Sequence, residues 1–233
     1  MRPLYSGKAK SLYELDEGRV LMEFRDDLTA GDGAKKARKA GKGALNAEIS
    51  AKFMELLKEK GIPTHFLSFE APNRHIVKRV KIVPLEVIVR NIATGSLVRR
   101  YPFEEGTEFS PPIVEFCLKS DEYHDPMVNE DIALALGVVS SREELEKMRE
   151  IALRVNEVLR EFLLKKGIIL VDFKLEFGYD SEGNLLVADE ISPDTCRFWD
   201  AETREVMDKD RFRRDMGDVL KYYEEVKKRI SEN

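Results

Sequence analysis

Apolar and polar residues alternate most regularly over residues 170–178. This pattern predicts a β-strand, because successive side chains of a strand leave opposite faces. One face is apolar, with valine, phenylalanine and leucine at every second position, and the other carries Asp172, Lys174 and Glu176 in a row. Three ionisable groups of alternating sign on one strand face make this strand the first candidate for chemistry.

A polar turn follows and leads into a second predicted strand at residues 185–191, which contains the pair Asp189-Glu190. A register that pairs Tyr179 with Asn184 places Asp189 opposite Lys174 and diagonal to the last carboxylate of the first strand. Carboxylates from neighbouring strands beside a lysine are typical of a site for Mg²⁺ and phosphate. A solvated hairpin face with one cross-strand salt bridge gives the same pattern, and the hairpin alone leaves both interpretations open.

The remaining patterns predict a strand-rich beginning followed by mixed helices and strands. A two-lobed molecule would change lobe near residues 80–84, which gives lobes of residues 1–80 and 81–233. The predicted elements are a β-meander at 4–24, a long loop at 25–43, a helix at 44–60 ended by Gly61, strands at 64–70, 75–80 and 81–90, an irregular segment at 109–129, a long helix opened by the capping box Ser141 to Glu144, and a last helix at 211–230.

Composition narrows the class of protein. The 233 residues are 42% hydrophobic, enough for a core, and an apolar run of 18 residues is absent, so we expect no contact with a membrane. The first residues lack the apolar stretch of a secretory signal, and Cys117 and Cys196 make neither a disulfide framework nor a metal knuckle, so we expect a cytoplasmic protein. The net charge of −5 argues against nucleic-acid binding.

Two stretches near the start of the chain are candidates for ligand contacts. Gly7 lies beside Lys8 and Lys10, which can bring backbone amides and two ammonium groups against a polyphosphate. The P-loop pattern is absent, and a solvated basic turn is the alternative. The glycine-rich loop at 25–43 is either functional or a mobile surface loop. Its polar candidates are Asp27, Thr29, Asp32 and Lys36.

A turn rich in small residues follows the strand at 81–90. Gly95 and the Ser96 hydroxyl can bind an anion, and Arg90, Arg99 and Arg100 supply positive charge. A plain helix N-cap at Ser96 explains the same residues.

Two later polar segments complete the candidates. His124 beside Asp125 is either an oriented imidazole or part of a surface turn, and the absence of a second His or Cys at ligand spacing argues against zinc. Residues 192–200 begin polar and end aromatic, which is typical of a pocket wall, and include Asp194 and Arg197. Lysines near a glycine, an acid-Lys-acid strand and arginines by a Gly-Ser turn suit phosphate-rich substrates and magnesium.

Six segments together resemble the phosphoribosylaminoimidazole-succinocarboxamide synthase family, also called SAICAR synthetase. The similarity runs in order from about residue 4 to 223, at the length of the stand-alone bacterial form rather than a fusion with a carboxylase. The segments are YSGKAK (5–10), FRDDLTAGDG (24–33), LEVIVRNIATGS (85–96), HDPMVNE (124–130), LVDFKLEFG (170–178) and DEISPD (189–194).

The resemblance implies a ligase of purine biosynthesis. Such enzymes join L-aspartate to the carboxylate of carboxyaminoimidazole ribonucleotide (CAIR), with hydrolysis of ATP to ADP and phosphate. It also implies a two-lobed α+β fold with a β-rich N-terminal lobe, ATP between the lobes, and a likeness in outline to ATP-grasp enzymes and kinases. Members are usually homo-oligomers, and we favour a dimer.

The resemblance further implies where nucleotide and metal bind. Lys8 and Lys10 would hold the ATP phosphates. Backbone groups near the junction of the lobes would line the adenine pocket, at Val77, Lys78 and Val80. Glu176 and Asp189 would bind Mg²⁺.

The other roles concern catalysis and the remaining substrates. Lys174 would stabilise charge on the phosphoryl group or the CAIR carboxylate, and Asp172 joins it as the least defined catalytic candidate. The ribonucleotide phosphate would be held by Arg90, Ser96 and Arg197, with Asp194 near the ribose or base. The L-aspartate site is predicted at Lys119, Asp125 and Arg211.

Two departures from the family pattern, Ile92 and the pair Thr195-Cys196, alter no predicted ligand. Two other functions share parts of the pattern. A small-molecule kinase would need Lys8, Lys10, Glu176 and Asp189 but not the segment at 90–96. A nucleotide-binding regulator without turnover would tolerate loss of the lysine at position 174.

Overall fold

The computed structural model describes residues 1–31 and 33–232. Its strands are β1 (Arg2–Ser6), β2 (Lys10–Glu14), β3 (Arg19–Phe24), β4 (Asp27–Ala30), β5 (Lys35–Arg38), β6 (Phe66–Glu70), β7 (Arg74–Lys78), β8 (Lys81–Ile92), β9 (Glu108–Leu118), β10 (Met127–Val128), β11 (Ile168–Tyr179), β12 (Leu185–Ala188) and β13 (Cys196–Asp200). Its helices are α1 (Lys42–Glu59), α2 (Ser96–Arg100), α3 (Glu130–Ala135), α4 (Arg142–Lys165), α5 (Asp210–Arg213) and α6 (Val219–Ser231).

The strands form two antiparallel sheets and a separate hairpin. The first sheet has the order β1-β2-β3-β7-β6, and the second has the order β10-β9-β8-β11-β12, with β13 also paired to β11. The hairpin is β4-β5. The chain passes from the first sheet to the second between Lys78 and Lys81, where the sequence predicts the change of lobe. The division into two lobes stays a prediction, because the main apolar core contains residues from both sides of that point.

The strand β11 lies at the centre of the second sheet and has the predicted alternation. Phe173, Leu175 and Phe177 are at most 1% exposed and belong to the main core. Helices α1 and α4 cover this apolar face, and their buried residues join the same core cluster. The opposite face of β11 therefore presents its charged residues away from the core, toward a cavity.

Helix α1 ends as its sequence predicts. The N–H of Gly61 donates to the carbonyl of Lys58 at 3.0 Å, and the N–H of Ile62 donates to that of Leu57 at 2.9 Å. These two bonds form a Schellman motif, which needs the positive φ of 70° that Gly61 adopts. The helix consequently stops where it delivers the chain to β6.

The predicted register of the β11-β12 hairpin is wrong by one residue. Tyr179 pairs with Leu185 rather than with Asn184. The second strand also ends at Ala188, earlier than predicted, and Asp189 has a positive φ of 60°. Asp189 therefore leaves the sheet and does not face Lys174 within it.

Three segments differ from their predicted conformation. Residues 109–129, predicted as irregular, contain β9, which tolerates Pro111 and Pro112 because they lie at an interruption of its pairing with β8. The predicted loop at 25–43 contains the hairpin β4-β5. The predicted last helix is two helices, α5 and α6, because Asp215, Gly217 and Asp218 between them have positive φ.

Two predicted helix starts also differ in detail. Gly95 is the N-cap of α2, so the Ser96 hydroxyl does not cap the helix. At α4, Ser141 accepts from the N–H of Glu144 at 3.3 Å, but the Glu144 carboxylate binds the N–H of Ser140 instead of completing the capping box.

Candidate active site

A cavity of about 670 Å³ opens on the polar face of β11. It is bounded by the β1-β2 turn, the tip of the β4-β5 hairpin, the second sheet and the residues around α5. Among the described residues that line it, eight are lysine or arginine and eight are aspartate or glutamate. A cavity with this density of paired charges is suited to ligands that carry several charges themselves.

Lysine side chains neutralise the carboxylates at the middle of the cavity. Lys174 donates to Glu86 at 2.6 Å and to Glu176 at 3.3 Å, and Lys119 donates to Glu176 at 2.5 Å. Burial opposes the charge of Lys174, but Glu176 and Glu86 outweigh it and raise its pKa above the usual range. Lys174 is therefore an ammonium group at neutral pH, able to stabilise negative charge and unable to accept a proton.

Asp172 lies between two arginines. Arg90 donates from Nη1 to its Oδ2 at 3.2 Å, and Arg197 donates from Nη1 to Oδ1 and Oδ2 at 3.2 and 2.9 Å. Arg90 is also bound to Glu115 through Nε and to Ser96 Oγ at 3.1 Å. Asp172 is 3% exposed, and both of its oxygens accept hydrogen bonds from these arginines.

The same ion-pair chain continues at both ends. Asp210 accepts from Arg197 Nε at 2.8 Å and from Arg213 Nη1 at 2.5 Å, while Glu115 accepts from Arg100 Nη2 at 3.0 Å. Charge-assisted bonds of this kind fix the planes of the guanidinium groups. The arginine side chains are thus held in place before any ligand binds.

Lys10 connects the first sheet to the segment after β12. Its ammonium donates to Asp189 at 2.5 Å and to Glu190 at 2.7 Å. Burial disfavours the charged form of both Lys10 and Asp189. The two carboxylates outweigh burial and raise the pKa of Lys10, and the Lys10 ammonium likewise lowers the pKa of Asp189. Lys8 donates to Asp121 at 2.6 Å in the same cavity. Both predicted phosphate-binding lysines therefore lie in the cavity.

Glu176 and Asp189 have the oxygen donors that Mg²⁺ prefers, and both line the cavity. Each now accepts from a lysine, which occupies the side of the carboxylate where a cation would bind. Among residues 1–31 and 33–232, no group of three or more His, Cys, Asp or Glu side chains is arranged to hold a metal. Two carboxylates still fit Mg²⁺, since this ion usually takes one or two carboxylates together with substrate phosphates.

Asp194 is held by a buried network. Its Oδ2 accepts from Lys42 Nζ at 2.8 Å and its Oδ1 accepts from Tyr223 Oη at 2.7 Å. Burial and the Asp194 charge raise the pKa of Tyr223 well above its ordinary value, so its hydroxyl stays a donor. Asp194 lines the cavity, but each of its oxygens already has a protein partner.

Several predicted residues do not line the cavity. Val77 is buried in the first sheet, the N–H of Lys78 donates to the carbonyl of His65 at 2.7 Å, and Val80 packs against Gly178. The adenine contacts predicted at Val77, Lys78 and Val80 thus gain no support from the cavity geometry.

Arg211 also lies away from the cavity lining. Its guanidinium donates to the carbonyls of Gly217, Val206 and Met216 at 2.8, 3.1 and 3.0 Å, and it stacks on the Tyr222 ring at 3.8 Å. These contacts support the turn between α5 and α6. A role for Arg211 in binding L-aspartate gains no support from this arrangement, because the side chain is buried and each of its three nitrogens already donates to a backbone carbonyl.

The remaining candidates divide between the cavity and the surface. Lys119 and Asp125 line the cavity, and Thr29 lines it from the hairpin tip. Asp27 accepts from Arg25 at 2.9 Å instead, and Asp32 lies outside the described residues.

The structure adds cavity residues that sequence reasoning did not assign. Glu86 lies four residues before Arg90 on β8, so the alternation of the strand already places both on one face. Glu190 follows Asp189 directly, and the sequence pattern gives it no role of its own. Nothing in the sequence pattern distinguishes Lys209 and Arg213, which also line the cavity. Lys209 lies just before the last predicted helix, and Arg213 lies in its first turn.

The fold and the site together define an α+β enzyme that acts on phosphorylated substrates. The family model for SAICAR synthetase matches residues 3–230. The phosphoribosylaminoimidazole-succinocarboxamide synthase of Methanocaldococcus jannaschii is 63% identical over 98% of this chain and 94% of its own length. The Pyrococcus abyssi protein of the same name is 56% identical over 98% and 97%.

Solved structures agree with these relatives. A SAICAR synthetase in complex with ADP superimposes with a TM-score of 0.95 at 55% identity, with 97% of each chain covered. The enzyme from Ehrlichia chaffeensis has a TM-score of 0.96 at 42% identity over 99% of this chain and 98% of its own. The chain belongs to the SAICAR synthetase family, and it is accordingly an ATP-dependent ligase of purine biosynthesis. The curated relatives at high identity are mostly archaeal, so the expected bacterial form is not what they indicate.

Among the described residues, no helix is long and apolar enough to span a membrane.

Proposed function

We propose that this protein joins L-aspartate to the carboxylate of CAIR, with ATP converted to ADP and phosphate. The observation that supports it most directly is a single cavity in which Lys8 and Lys10 meet Lys174 and the arginine pair of Arg90 and Arg197. One end offers charge for a triphosphate and the other for a phosphomonoester, with a third cation between them. A structure of a relative with ADP adds support for the nucleotide.

The reaction needs an activated carboxylate, because oxide is a very poor leaving group. A carboxylate oxygen of CAIR attacks the γ-phosphorus of ATP, the bond to the β-phosphate oxygen breaks, and ADP leaves. The resulting acyl phosphate is attacked at carbon by the amine of L-aspartate, phosphate leaves, and the nitrogen loses a proton as the amide forms. The protein contributes positioning and fixed positive charge to both steps.

Lys174 is the side chain best suited to the first step. It remains charged between Glu86 and Glu176, so it can balance the negative charge that builds on the transferred phosphoryl group. Lys8 and Lys10 bind the phosphates that stay with ADP. Their present carboxylate partners, Asp121 and Asp189, exchange for phosphate oxygens when the nucleotide enters.

Glu176 and Asp189 bind Mg²⁺ in this proposal. The ion neutralises phosphate charge when it is bound, and lysine counter-charges now beside both carboxylates mark where that positive charge is needed.

Arg90, Ser96 and Arg197 hold the CAIR phosphate, and Asp172 is a positioning residue for the two arginines. Asp194 supports the wall near the ribose through Lys42. Lys119 and Asp125 remain near the reacting carboxylate, and Arg211 is set aside as a ligand. The adenine contacts at Val77, Lys78 and Val80 rest on the family resemblance alone.

We further infer that the protein is cytoplasmic and forms a homo-oligomer, with a dimer favoured. Each protomer would consist of two lobes, residues 1–80 and 81–233. A second cavity of about 630 Å³ is consistent with a partner surface, since exposed apolar side chains, Tyr101, Phe103 and Met127, line it. Light scattering coupled to size exclusion measures the assembly.

The reaction is tested by ADP release from the purified protein with CAIR and aspartate supplied together or singly. We expect full release and amide product only when both are present. ADP release that does not depend on L-aspartate and gives no amide product would reject the ligase function and favour a kinase-like activity. The kinase alternative has no support from the relatives described above, which are named as SAICAR synthases.

A further inference from the structure

His65 is a buried side chain that the proposed mechanism does not use. It directly precedes β6, is 5% exposed and does not line the cavity. Its Nε2 lies 3.0 Å from the carbonyl oxygen of Asp189. Because a carbonyl oxygen can only accept, Nε2 carries the hydrogen of this bond. The imidazole thus holds the backbone of a residue whose side chain does line the cavity.

Asp189 has a backbone conformation that depends on its surroundings. Its φ of 60° lies in the left-handed region, which residues with a side chain rarely adopt. Such residues persist where neighbouring groups fix them, and they are concentrated at functional sites. The carbonyl that accepts from His65 belongs to the peptide group between Asp189 and Glu190. The bond therefore fixes the plane of that peptide, on which the directions of both carboxylates depend.

Backbone bonds hold His65 itself in place. Its N–H donates to the carbonyl of Val187 at 2.9 Å, and its carbonyl accepts from the N–H of Lys78 at 2.7 Å. Val187 is a residue of β12 in the second sheet, and Lys78 ends β7 in the first. The imidazole is consequently anchored to both sheets, beside the residue at which Lys10 of the first sheet binds.

The bond from His65 differs from the other contact of Asp189 in what a ligand does to it. The carboxylate of Asp189 accepts from the Lys10 ammonium, and the proposed nucleotide takes this lysine for its phosphates. The bond to the Asp189 carbonyl does not involve the carboxylate or the lysine. It therefore keeps the backbone in place while the carboxylate exchanges partners.

We propose that His65 is a positioning residue for Asp189, holding the peptide that follows it so that the carboxylate points into the cavity. The carboxylate then meets Lys10 before the nucleotide enters and is placed to bind Mg²⁺ afterwards. The inference rests on the proposed function, which assigns Mg²⁺ and the nucleotide phosphates to this site. His65 touches neither ligand, so its effect passes through Asp189.

The test compares His65→Phe and His65→Gln with the wild type in calorimetric titrations with ADP, in Mg²⁺ or in EDTA. We expect Mg²⁺ to tighten ADP binding to the wild type, and His65→Phe to reduce this gain about tenfold, as loss of a group that orients a metal ligand does. The affinity in EDTA should change far less. Glutamine keeps an N–H donor, so His65→Gln should retain most of the gain.

His75→Phe is the matched control. His75 is also buried and also donates through Nε2 to a backbone carbonyl, but to that of Ala47 in α1, at 2.8 Å. It should leave the gain from Mg²⁺ unchanged, and thermal unfolding shows which variants are folded. If His65→Phe does not fold, His65→Leu replaces it with the same expectation.

A double-mutant cycle with Asp189→Asn separates positioning from a general effect on the site. If His65 acts through Asp189, His65→Phe should have almost no further effect on the gain in the Asp189→Asn background. In amide formation by the single variant, the Mg²⁺ concentration for half-maximal rate should rise about tenfold. The KM for L-aspartate should stay close to the wild-type value.

Three results overturn the inference. They are a gain from Mg²⁺ in folded His65→Phe or His65→Leu equal to that of the wild type, an equal loss in His65→Gln, or an undiminished effect of His65→Phe in the Asp189→Asn background. A wild-type protein that forms no aspartate-dependent product rejects the proposed function instead. The ADP titrations do not require turnover, so they decide the role of His65 in that case as well.

Discussion

Lys10 and Asp189 are 179 positions apart in the chain, and the Lys10 ammonium donates to the Asp189 carboxylate at 2.5 Å. The pair connects the second strand of the first sheet to the segment that follows β12. It also brings together a lysine assigned to phosphate and a carboxylate assigned to metal. A nucleotide complexed with Mg²⁺ satisfies both groups at once, because the phosphate takes the lysine and the ion takes the carboxylate.

Glu176→Gln and Asp189→Asn should each abolish turnover. The amide is a weaker ligand for Mg²⁺ than the carboxylate, and it also leaves a neighbouring lysine without its charge partner. ADP release measured across a Mg²⁺ titration checks this. Glu182→Gln, in the exposed turn before β12, is the control and should behave as wild type. Near-normal rates at ordinary Mg²⁺ concentrations would show that neither carboxylate is needed to bind the ion.

Asp172→Asn should weaken CAIR binding more than ATP binding. An asparagine cannot neutralise two guanidinium groups, so Arg90 and Arg197 lose their common anchor. We expect a rise of about ten- to a hundredfold in the KM for CAIR, in line with loss of a charge-assisted contact, and a smaller change for ATP. Ser96→Ala and Arg197→Gln should show the same split. Equal losses for both substrates would contradict the assignment of these residues to the CAIR phosphate.

Gly95→Ala should displace Arg197. A Cβ at this position would lie 2.5 Å from Arg197 Nη2, and the φ of +60° with a ψ of −127° is a conformation that side chains disfavour. Backbone strain of this kind costs about 1–3 kcal/mol, and the shifted guanidinium should raise the KM for CAIR. Gly106→Ala is the matched control, since Gly106 has a φ of +92° with nothing within 4 Å. It should lose stability without a change in CAIR binding.

The free energy of unfolding should fall as the pH drops from about 6.5 toward 4. Burial lowers the pKa of His65 and of His75 to about 4, from the usual 6.5. The unfolded chain therefore binds protons that the folded chain excludes, so stability is full above pH 6.5 and is lost between the two values. Each histidine contributes a slope of up to about 1.4 kcal/mol per pH unit. Asp208 has the opposite effect, because burial and Asp210 raise its pKa to about 7, so the folded chain takes up this proton first and the loss is offset by about one histidine's share. The lowered carboxylate pKa of Asp189 acts only below its usual value of 3.8, outside this window.

Replacement of one histidine separates this effect from general acid sensitivity. His75 is enclosed by the rings of Phe24 and Phe66 at 4.7 and 4.9 Å between centroids, so His75→Phe is tolerated best. Urea unfolding at pH 7.5, 6 and 5 should give the variant a much smaller slope than the wild type, because Asp208 then opposes the one remaining histidine. An unchanged slope would show that His75 does not titrate in this range.

Local patterning predicted the face of β11 correctly, since a period of two depends only on neighbouring residues. It failed at Asp189, because a single residue with positive φ ends the strand and redirects the side chain. The partner of that side chain, Lys10, lies in another sheet, and no local pattern encodes such a contact.

Lys42 illustrates a second limit. Its side chain is 1% exposed and binds Asp194, yet in the sequence it is one of several lysines in a glycine-rich stretch. Burial of a lysine depends on where a distant carboxylate lies. The family resemblance supplied the functional assignments, whereas Lys42, Lys209 and the shared role of Asp172 required three-dimensional contacts.

Positive and negative side chains line the cavity in equal numbers, within the part of the chain that the structure describes. This balance affects how fast substrates associate. A formally neutral cavity in a protein of net charge −5 provides no long-range attraction for polyanions. Substrate capture then depends on short-range exchange of ion-pair partners after encounter. The association rates of nucleotide and ribonucleotide should accordingly not fall as ionic strength rises, unlike those of enzymes whose positively charged active-site clefts attract anionic substrates.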